Sequence, residues 1–291
     1  MRYLSAADVP GALSMAHAIA AMEQAFGDDI EAPQRVTIGP SMFMPGRVGD
    51  ISGIKVVSTV PGNPVGIVAV FGPDGRCLGL VDGPTLTAIR TAAAAGLATR
   101  LLARPDARAM AMLGAGAMAF DQVRAVQEVR PIAEVLVWSR TPERAEALAD
   151  RVDGEAVKDA AEAVAKVDVV TTATPARDPL FPASSVRPGT HLNAIGAFTP
   201  EMAEVPEETV RAARVFVDQR QAAAAEAGDL IRADRSPDAT LGDLLAGRVA
   251  GRQTHSEVTL FKSVGIASQD VSGAAAALRG AEELNIGTVL D

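Results

Sequence analysis

The sequence predicts an α/β protein in which a doubly wound parallel sheet is inserted into a smaller α+β domain. Three observations lead to this prediction: short β-branched runs bounded by Gly, Pro and Asp early in the chain, regular strand and helix alternation from Ala107, and a final amphipathic helix. Such alternation is typical of a parallel sheet with crossover helices. Because 291 residues suit two domains, we expect one domain at 105–263 and a second formed by 1–104 with 264–291.

The predicted elements of the first domain follow in order. Apolar residues at helical spacing predict a helix from Pro10 to Phe26. The runs "GIKVVSTV", "GIVAVFG" and "RCLGLVDG" then predict an antiparallel meander. In "GPTLTAIRTAAAAGLATRLLAR", Gly83 can cap a long helix and Pro84 suits its first turn. This helix is expected to lead out of the first sheet.

The predicted elements of the inserted domain alternate. Strands are expected at "ARAMAML", "AEVLVWS", "VDVVTTAT", "THLNAIGA", "ARVFVD" and "EVTLFKSVG", with helices ending at Val129 and covering "PERAEALADRV". The last helix has one apolar stripe, which should bury itself against the first domain. That stripe consists of Val271, Ala274, Ala275, Leu278, Ala281 and Leu284.

Composition narrows the function classes. A net charge of -9 and a pI near 5.0 oppose binding to nucleic acid or to an anionic membrane surface. The single Cys77 cannot form an intrachain disulfide, and no Cys/His cluster has metal-ligand spacing. The N-terminus "MRYLSAADVP" lacks an apolar signal core, and the run Ala109–Phe120 is shorter than the ~20 residues of a membrane span. We expect a cytoplasmic protein with a small-molecule partner and no metal.

The stretch "LGAGAMAF" matches G-x-G-x-x-A through Gly114, Gly116 and Ala119, between a predicted strand and a predicted helix. The first glycine permits the tight turn, the second lets backbone approach a pyrophosphate, and the small third residue allows close helix packing. The helix N-terminus then offers free N–H donors to phosphate. This context favours a Rossmann-type dinucleotide site over a ligand-free helix start, which is the alternative interpretation.

The end of the second strand, "VWSRTPER", bears on the choice of dinucleotide, because a carboxylate there would hold an NAD ribose. Ser139 and Thr141 offer hydroxyls instead, and Arg140 offers a cation suited to a 2'-phosphate. Alternatively Thr141 caps the next helix and Arg140 is solvated. The pattern predicts NADP(H), with NAD(H) as the alternative.

Further cofactor contacts are expected beyond the carboxyl ends of the later strands, where ligands bind in open α/β sheets. The segments there are 172–175 and 193–197, followed by Asp218. Small residues would let a nicotinamide approach the backbone, although ordinary loop chemistry explains each of them equally well. The candidates are Thr172, Ala173, Thr174, Asn193 and Gly196.

Several stretches together resemble the ornithine cyclodeaminase/mu-crystallin family: "IKVVSTVPGN", "LVDGPTLTAIRTAAAAG", "LGAGAMA", "HLNAIGAF", "VFVDQRQAAAAEAGDL" and "EVTLFKSVGIASQD". They occur in the family's order. The resemblance implies that the terminal segments form a substrate-binding domain that also dimerises, giving a homodimer. It also implies hydride transfer on amino acids, keto acids or cyclic imines.

By position, Arg35, Lys55 and Arg90 match family residues that hold the substrate carboxylate beneath the nicotinamide. Lys55 interrupts an apolar run, where a buried cation needs an anion or acceptor, although an edge-strand lysine facing solvent is the alternative. Lys55 could also donate a proton if Arg35 and Arg90 lower its pKa. The same stretches add further cofactor candidates: Thr91, Ala117, Met118, Ser263 and Gly265.

The sequence departs from the family at two points. Only "PVG" separates "VPGN" from "IVAVF", a shorter loop than usual, which predicts a reshaped substrate entrance. Phe198 stands where cyclodeaminases carry a carboxylate that handles the substrate amine, and Phe cannot accept a proton. Asp218 is the candidate to serve instead, or else binds loop N–H groups.

The resemblance implies an NADPH-dependent reductase of a cyclic imine or an α-keto or imino acid, closer to the ketimine and imine reductase branch than to true cyclodeaminases. An ornithine cyclodeaminase-type ammonia lyase and an alanine dehydrogenase-like enzyme are the alternative activities. A small-molecule carrier that keeps the cofactor pocket is the alternative of another class, but it would not need the proton donor Lys55.

Overall fold

A computed structural model describes residues 1–60 and 65–290. The chain divides into two compact units, one formed by 1–94 with 266–291 and the other by 95–265. Residues 61–64, at the loop predicted to reshape the substrate entrance, lie outside the described residues. Within the described residues, no helix combines the length and apolar character that crossing a membrane requires.

The first unit is built around a mixed sheet, most of whose strand pairs are antiparallel. Its strands are β1 (Arg2–Leu4), β2 (Ile30–Glu31), β3 (Val36–Ile38), β4 (Ser41–Val48), β5 (Ile51–Ser58), β6 (Gly66–Phe71) and β7 (Cys77–Asp82). Its helices are α1 (Val9–Ala12) and α2 (Met15–Ala25), followed by α3 (Gly83–Leu102), which continues into the second unit. The three predicted strands, which correspond to β5, β6 and β7, and the start of α3 at Gly83 are confirmed, whereas β1 to β4 were not predicted.

The helix predicted from Pro10 to Phe26 is in fact two helices. Leu13 adopts an extended conformation with φ -134° and ψ 96°, which ends α1. Ser14 then caps α2, because its side chain accepts a hydrogen bond from the His17 N–H. Serine competes for local backbone hydrogen bonds and therefore favours a helix start over a helix interior.

The second unit contains the parallel sheet that strand and helix alternation predicts. Its strands are β8 (Ala109–Leu113), β9 (Glu134–Trp138), β10 (Glu155–Ala156), β11 (Val169–Thr172), β12 (His191–Ala194), β13 (Arg214–Val217), β14 (Ala239–Thr240) and β15 (Thr259–Lys262). Its helices are α4 (Ala119–Val129), α5 (Pro142–Val152), α6 (Ala160–Lys166), α7 (Glu207–Ala212), α8 (Arg220–Glu226), α9 (Gly228–Arg232) and α10 (Leu241–Leu245). A 3₁₀ turn covers Ala183–Ser185.

The strand order of this sheet is β10-β9-β8-β11-β12-β15-β13-β14, and all pairs are parallel. Alternate residues of β8 belong to different buried clusters: Ala111 and Leu113 to one, Met110 and Met112 to the other. Both faces of the sheet are therefore covered, so the predicted doubly wound Rossmann-type fold is confirmed. The order reverses at β8, which places a ligand crevice at its carboxyl end.

The chain then returns to the first unit through α11 (Ala267–Glu283) and β16 (Thr288–Val289). The first sheet has the order β16-β1-β7-β6-β5-β4-β2, with β3 also paired to β4. Helix α11 packs on this sheet and on α2, as its apolar stripe predicts. Gly53 of β5 permits the close approach, because a Cβ there would meet Ala69 O at 2.6 Å and Val271 at 3.1 Å.

Candidate active site

The glycine turn lies at the carboxyl end of β8. Gly114 has φ +115°, a conformation that favours glycine, and its N–H bonds to Trp138 O at 2.8 Å. A Cβ on Gly114 would meet Ala173 O at 2.7 Å, whereas a Cβ on Gly116 would meet nothing within 4 Å. Ala119 is buried at the start of α4. The three positions thus have the geometries their predicted roles need, and the open side at Gly116 leaves room for a ligand.

A pocket of about 520 Å³ opens at this turn. Its lining consists of Gly114, Ala115, Gly116, Trp138, Ser139, Arg140, Thr141, Arg144 and the segment 173–180. The structure therefore brings seven of the predicted cofactor residues to one cavity: Gly114, Gly116, Ser139, Arg140, Thr141, Ala173 and Thr174. Volume and lining both fit an extended dinucleotide better than a buried structural void.

Three arginines line this pocket: the predicted Arg140, together with Arg144 and Arg177, which sequence reasoning missed. Arg144 lies one turn into α5, so helical spacing after Arg140 was an available signal. Thr141 occupies the N-cap position of α5, but within the described residues its side chain makes no cap hydrogen bond. The helix-cap alternative thus explains the position of Thr141 but does not use its hydroxyl.

Two strand-end loops are joined by the fully buried Glu204, a residue that sequence reasoning did not identify. One carboxylate oxygen accepts hydrogen bonds from the Thr174 N–H at 2.7 Å and the Thr174 hydroxyl at 2.8 Å. The other accepts from the N–H groups of Gly196 at 2.7 Å and Ala197 at 3.1 Å. Burial raises the pKa of Glu204, with Lys262 opposing that rise.

Glycine at 196 has a structural explanation besides the expected one. A Cβ on Gly196 would lie 2.2 Å from both N and O of Thr174, so the absence of a side chain accommodates this neighbouring loop. Behind these loops, Asp229 accepts the N–H groups of Glu204 at 2.7 Å and Val205 at 3.0 Å. The buried Lys262 ammonium lies 2.9 Å from the second Asp229 oxygen.

The Asn193 side chain is hydrogen-bonded within the second unit. Its amide donates to Thr99 Oγ1 at 2.9 Å, and its oxygen contacts His191 Nε2 at 3.1 Å. Burial lowers the pKa of His191 to about 3, so the ring is neutral and donates to that oxygen. The Asn193 side chain is thus occupied by protein partners, while the buried Thr172 hydroxyl has no partner among the described residues.

Asp218 binds a loop. One of its oxygens accepts from the Ser263 hydroxyl at 3.0 Å and from the N–H groups of Val264 at 2.9 Å and Gly265 at 2.7 Å. Its other oxygen accepts from the Gln219 N–H at 3.0 Å. This geometry corresponds to the loop-binding alternative for Asp218, and it brings the predicted Ser263 and Gly265 together.

The remaining predicted positions around the turn are more open. Ala117 is exposed, and Met118 is half-buried at the N-cap of α4. Phe198, in the loop after β12, is 45% exposed. Among the described residues there is no group of three or more His, Cys, Asp or Glu side chains arranged to hold a metal.

The first unit gathers the predicted substrate residues around a carboxylate that sequence reasoning missed. Asp270 of α11 is fully buried, and its oxygens lie 2.9 and 3.0 Å from Lys55 Nζ. Arg90 Nε donates to the same carboxylate at 2.8 Å, and Arg90 Nη1 donates to Gln269 Oε1 at 2.5 Å. The cation of Lys55 therefore has its anion inside the fold.

Lys55 is not an edge-strand lysine. Strand β5 pairs with β4 and β6, and Lys55 is only 4% exposed, on the same strand face as Gly53. Burial lowers the pKa of Lys55 to about 8, with Asp270 opposing and with Arg90 and Arg35 adding to the fall. Burial therefore contributes more to this lowered pKa than the two arginines do.

The Asp270 carboxyl stays ionised. Burial alone would raise its pKa, but the Arg90 and Lys55 cations hold it below the usual value. Arg35 is half-buried near the start of β3, and the predicted cofactor residue Thr91 is buried beside Arg90 in α3. The cluster thus has two buried cations on one buried anion, with a third cation close enough to influence Lys55.

The sequence profile of the ornithine cyclodeaminase/mu-crystallin family matches residues 3–281. The chain belongs to this family. It is 35% identical to the Delta(1)-pyrroline-2-carboxylate reductase of Paracoccus denitrificans, over 93% of this chain and 94% of that protein. It is 36% identical to the ketimine reductase mu-crystallin of Mus musculus, over 75% of this chain and 69% of that protein.

A solved structure of the same family gives the spatial comparison. The Delta(1)-pyrroline-2-carboxylate reductase of Thermococcus litoralis, in complex with NADH and L-proline, superposes with a TM-score of 0.94. Identity is 32%, and the match covers 100% of both chains. The family resemblance inferred from the sequence, including its reductase branch, is therefore confirmed.

Proposed function

We propose that the protein is an NADPH-dependent oxidoreductase that reduces a cyclic imine of the ketimine, pyrroline-carboxylate or piperideine-carboxylate type, or an α-keto or imino acid, to an amino acid. The observation that carries this proposal is the buried Lys55 ammonium, held with Arg90 on Asp270. A buried cation whose pKa is near 8 is suited to donate a proton at neutral pH. The reductases among its relatives support the same chemistry.

The second unit holds the cofactor in this proposal. The open side of Gly116 suits a pyrophosphate, and Ser139, Arg140 and Thr141 suit the ribose and its 2'-phosphate. Arg144 and Arg177 add positive charge to the same pocket. When bound, a nicotinamide supplies hydride to the carbon of the C=N group. The arginines favour NADPH, and NADH is the alternative, since the relative from Thermococcus litoralis binds NADH.

The first unit holds the substrate. Arg90 and Arg35 bind its carboxylate, and Lys55 donates a proton to the imine nitrogen. An α-keto acid must first condense with ammonia, with loss of water, to give such an imine, because hydride addition to its carbonyl group would give a hydroxy acid. Each turnover thus adds one hydride and one proton across the double bond. Asp218 is a positioning residue in this proposal, because its hydrogen bonds hold the loop at 263–265.

The alternative activities are ammonia loss of the ornithine cyclodeaminase type and amino-acid oxidation of the alanine dehydrogenase type. Phe198 favours reduction over ammonia loss, since it cannot accept a proton from a substrate amine. The alternative of another class is an NADPH-dependent small-molecule binding protein. A carrier has no need of a proton donor, so Lys55 argues against it.

The deciding experiment offers the purified protein NADPH with a panel of cyclic imines, and with keto acids plus ammonia. A reductase consumes one NADPH for each amino acid formed. Incubation with ornithine and catalytic NAD⁺ or NADP⁺ is the second arm, and we expect no ammonia there. Steady release of ammonia and proline in that arm, without net change in the cofactor, would replace the reductase assignment by a cyclodeaminase.

We further propose that the protein is a homodimer formed through its first unit. Large apolar side chains are exposed on that unit, including Val36 at 51% and Ile38 at 65% on β3. A small sheet with an uncovered apolar strand is stabilised by a partner. Light scattering should give about twice the chain mass of 29.9 kDa. A fully active monomer that persists on dilution would contradict this proposal.

A further inference from the structure

The carboxylate of Asp270 occupies an unusual place in the proposed substrate site. It is fully buried, it belongs to α11, and two predicted substrate-binding residues from separate elements meet on it: Lys55 of β5 and Arg90 of α3. A substrate carboxylate would approach the same two cations. Asp270 would therefore compete with the substrate carboxylate for Lys55 and Arg90, and we expect it to contribute to the reaction in another way.

We propose that Asp270 is a positioning residue of the substrate site, which keeps Lys55 protonated for proton donation and fixes the Arg90 guanidinium for carboxylate binding. This inference rests on the proposed function. The bonds of Arg90 to Asp270 and Gln269 use Nε and Nη1, which fixes the orientation of the guanidinium plane. The Nη2 group keeps its donors for a substrate carboxylate.

The charge balance explains the need for this anion. The charged groups facing Lys55 are Asp270 of α11, Arg90 of α3 and Arg35 near β3. The two arginines lower the pKa of Lys55, and Asp270 raises it. With Asp270 ionised, the trio of Lys55, Arg90 and Asp270 has a net charge of +1, and Lys55 keeps a proton to donate. Without that carboxylate, burial and two guanidinium groups would lower the pKa of Lys55 further, so that Lys55 would lose its proton near neutral pH.

The neutral variant Asp270→Asn should therefore separate proton donation from substrate binding. If Lys55 loses its proton in that variant, the trio still has a net charge of +1, from Arg90 alone. Electrostatic attraction for the substrate carboxylate then changes little, while the proton donor is lost. We expect kcat at pH 7.5 to fall ~10-fold or more, with KM changing by less than ~3-fold.

The pH profile supplies the readout that a merely structural role would not move. The basic limb of kcat reports Lys55 deprotonation and should lie near pH 8 in the wild type. In Asp270→Asn it should move ~1 to 3 pH units lower. Asp168→Asn is the matched control, because Asp168 pairs with Arg104 in the second unit, at the amino end of β11. The Asp168→Asn change should lower the free energy of unfolding and leave the basic limb of kcat near pH 8.

A stability measurement tests the inference without turnover. Folding lowers the pKa of Lys55 from its ordinary value of 10.5 to about 8. Between these two pH values the unfolded chain holds the proton that the folded chain has lost, so the free energy of unfolding rises with pH across that window. In Asp270→Asn the window should start at lower pH. Adding Lys55→Met should abolish that difference, which assigns it to Lys55.

The outcomes separate the two proposals. If the wild type oxidises NADPH with no imine or keto acid, the proposed function is refuted. The pH dependence of the unfolding free energy then still tests the role of Asp270. The inference would be overturned by a folded Asp270→Asn variant that keeps both the wild-type basic limb of kcat and the wild-type pH dependence of unfolding free energy. If that variant does not fold, Asp270→Glu keeps the charge but displaces it. A limb near pH 8 with reduced turnover supports positioning, and wild-type kcat and KM would refute it.

Discussion

Glu204→Gln is the sharpest test of how the cofactor pocket is built. The change keeps the size of the side chain but replaces one carboxylate oxygen by an NH₂ group. Each oxygen now accepts two hydrogen bonds, from the Thr174 N–H and hydroxyl on one side and from the Gly196 and Ala197 N–H groups on the other. An amide can accept on one side only. With its NH₂ group towards Thr174, the hydroxyl can turn to accept from that group, but the Thr174 N–H is left facing a donor.

The expected magnitude follows from these contacts. A buried donor without an acceptor costs ~1 to 3 kcal/mol. Removing a buried charge offsets part of this loss. We expect the free energy of unfolding to fall by ~1 to 2 kcal/mol. Thr174 also lines the cofactor pocket, so the NADPH dissociation constant should rise ~10-fold, equivalent to ~1.4 kcal/mol.

The chain contains its own probe for this measurement. Trp138 is the single tryptophan, and it lines the pocket. Quenching of its fluorescence by NADPH gives the dissociation constant, and denaturant titration gives the unfolding free energy. Glu207→Gln is the matched control, because Glu207 forms an exposed ion pair with Arg211 worth at most ~0.5 kcal/mol. Equal losses in the two variants would refute the assigned role of Glu204.

Three further substitutions test the site. Arg140→Ala should raise the NADPH dissociation constant ~10- to 100-fold through loss of ~1.5 to 3 kcal/mol of phosphate pairing, with NADH little affected. Equal affinity of the wild type for both cofactors would contradict this expectation. Lys55→Met should leave NADPH binding intact and lower turnover ~100-fold, and wild-type activity should fall as pH rises through about 8, where Lys55 deprotonates. Arg90→Lys should mainly raise the KM of the imine, since a point charge replaces a fork, and an unchanged KM would count against carboxylate binding.

Features specified by contiguous residues could be predicted from the sequence. The glycine turn and helix α5 are examples: Pro142 opens α5 at its first position, and the predicted span "PERAEALADRV" coincides with the helix. The grouping of Ser139, Arg140 and Thr141 at one pocket followed from the same reasoning, because the end of one strand leads directly into the next helix. The predicted helix Pro10–Phe26 failed where local signals conflict, since apolar spacing continues across a capping serine.

The acceptors that organise the site could not be predicted in this way. Asp270 lies 215 positions from Lys55 and 180 from Arg90, so no local spacing links them. An acidic residue in the first turn of a helix is ordinarily explained by the helix dipole. The one available signal was the polar run Ser268–Asp270 at the start of an amphipathic helix. Glu204 likewise lies in a loop, where a carboxylate is ordinarily solvated.

The buried carboxylates differ in what donates to them, and that difference separates structural from chemical roles. Glu204 and Asp218 accept from backbone N–H groups and hydroxyls, so they order loops, and neutral replacements should alter stability and cofactor binding. Asp270 accepts from the cations of Lys55 and Arg90, groups that the substrate would also contact. Only its replacement changes a proton equilibrium at the reacting atoms. Displacement of a pH profile, not loss of stability, is therefore the property that distinguishes Asp270 from the other two carboxylates.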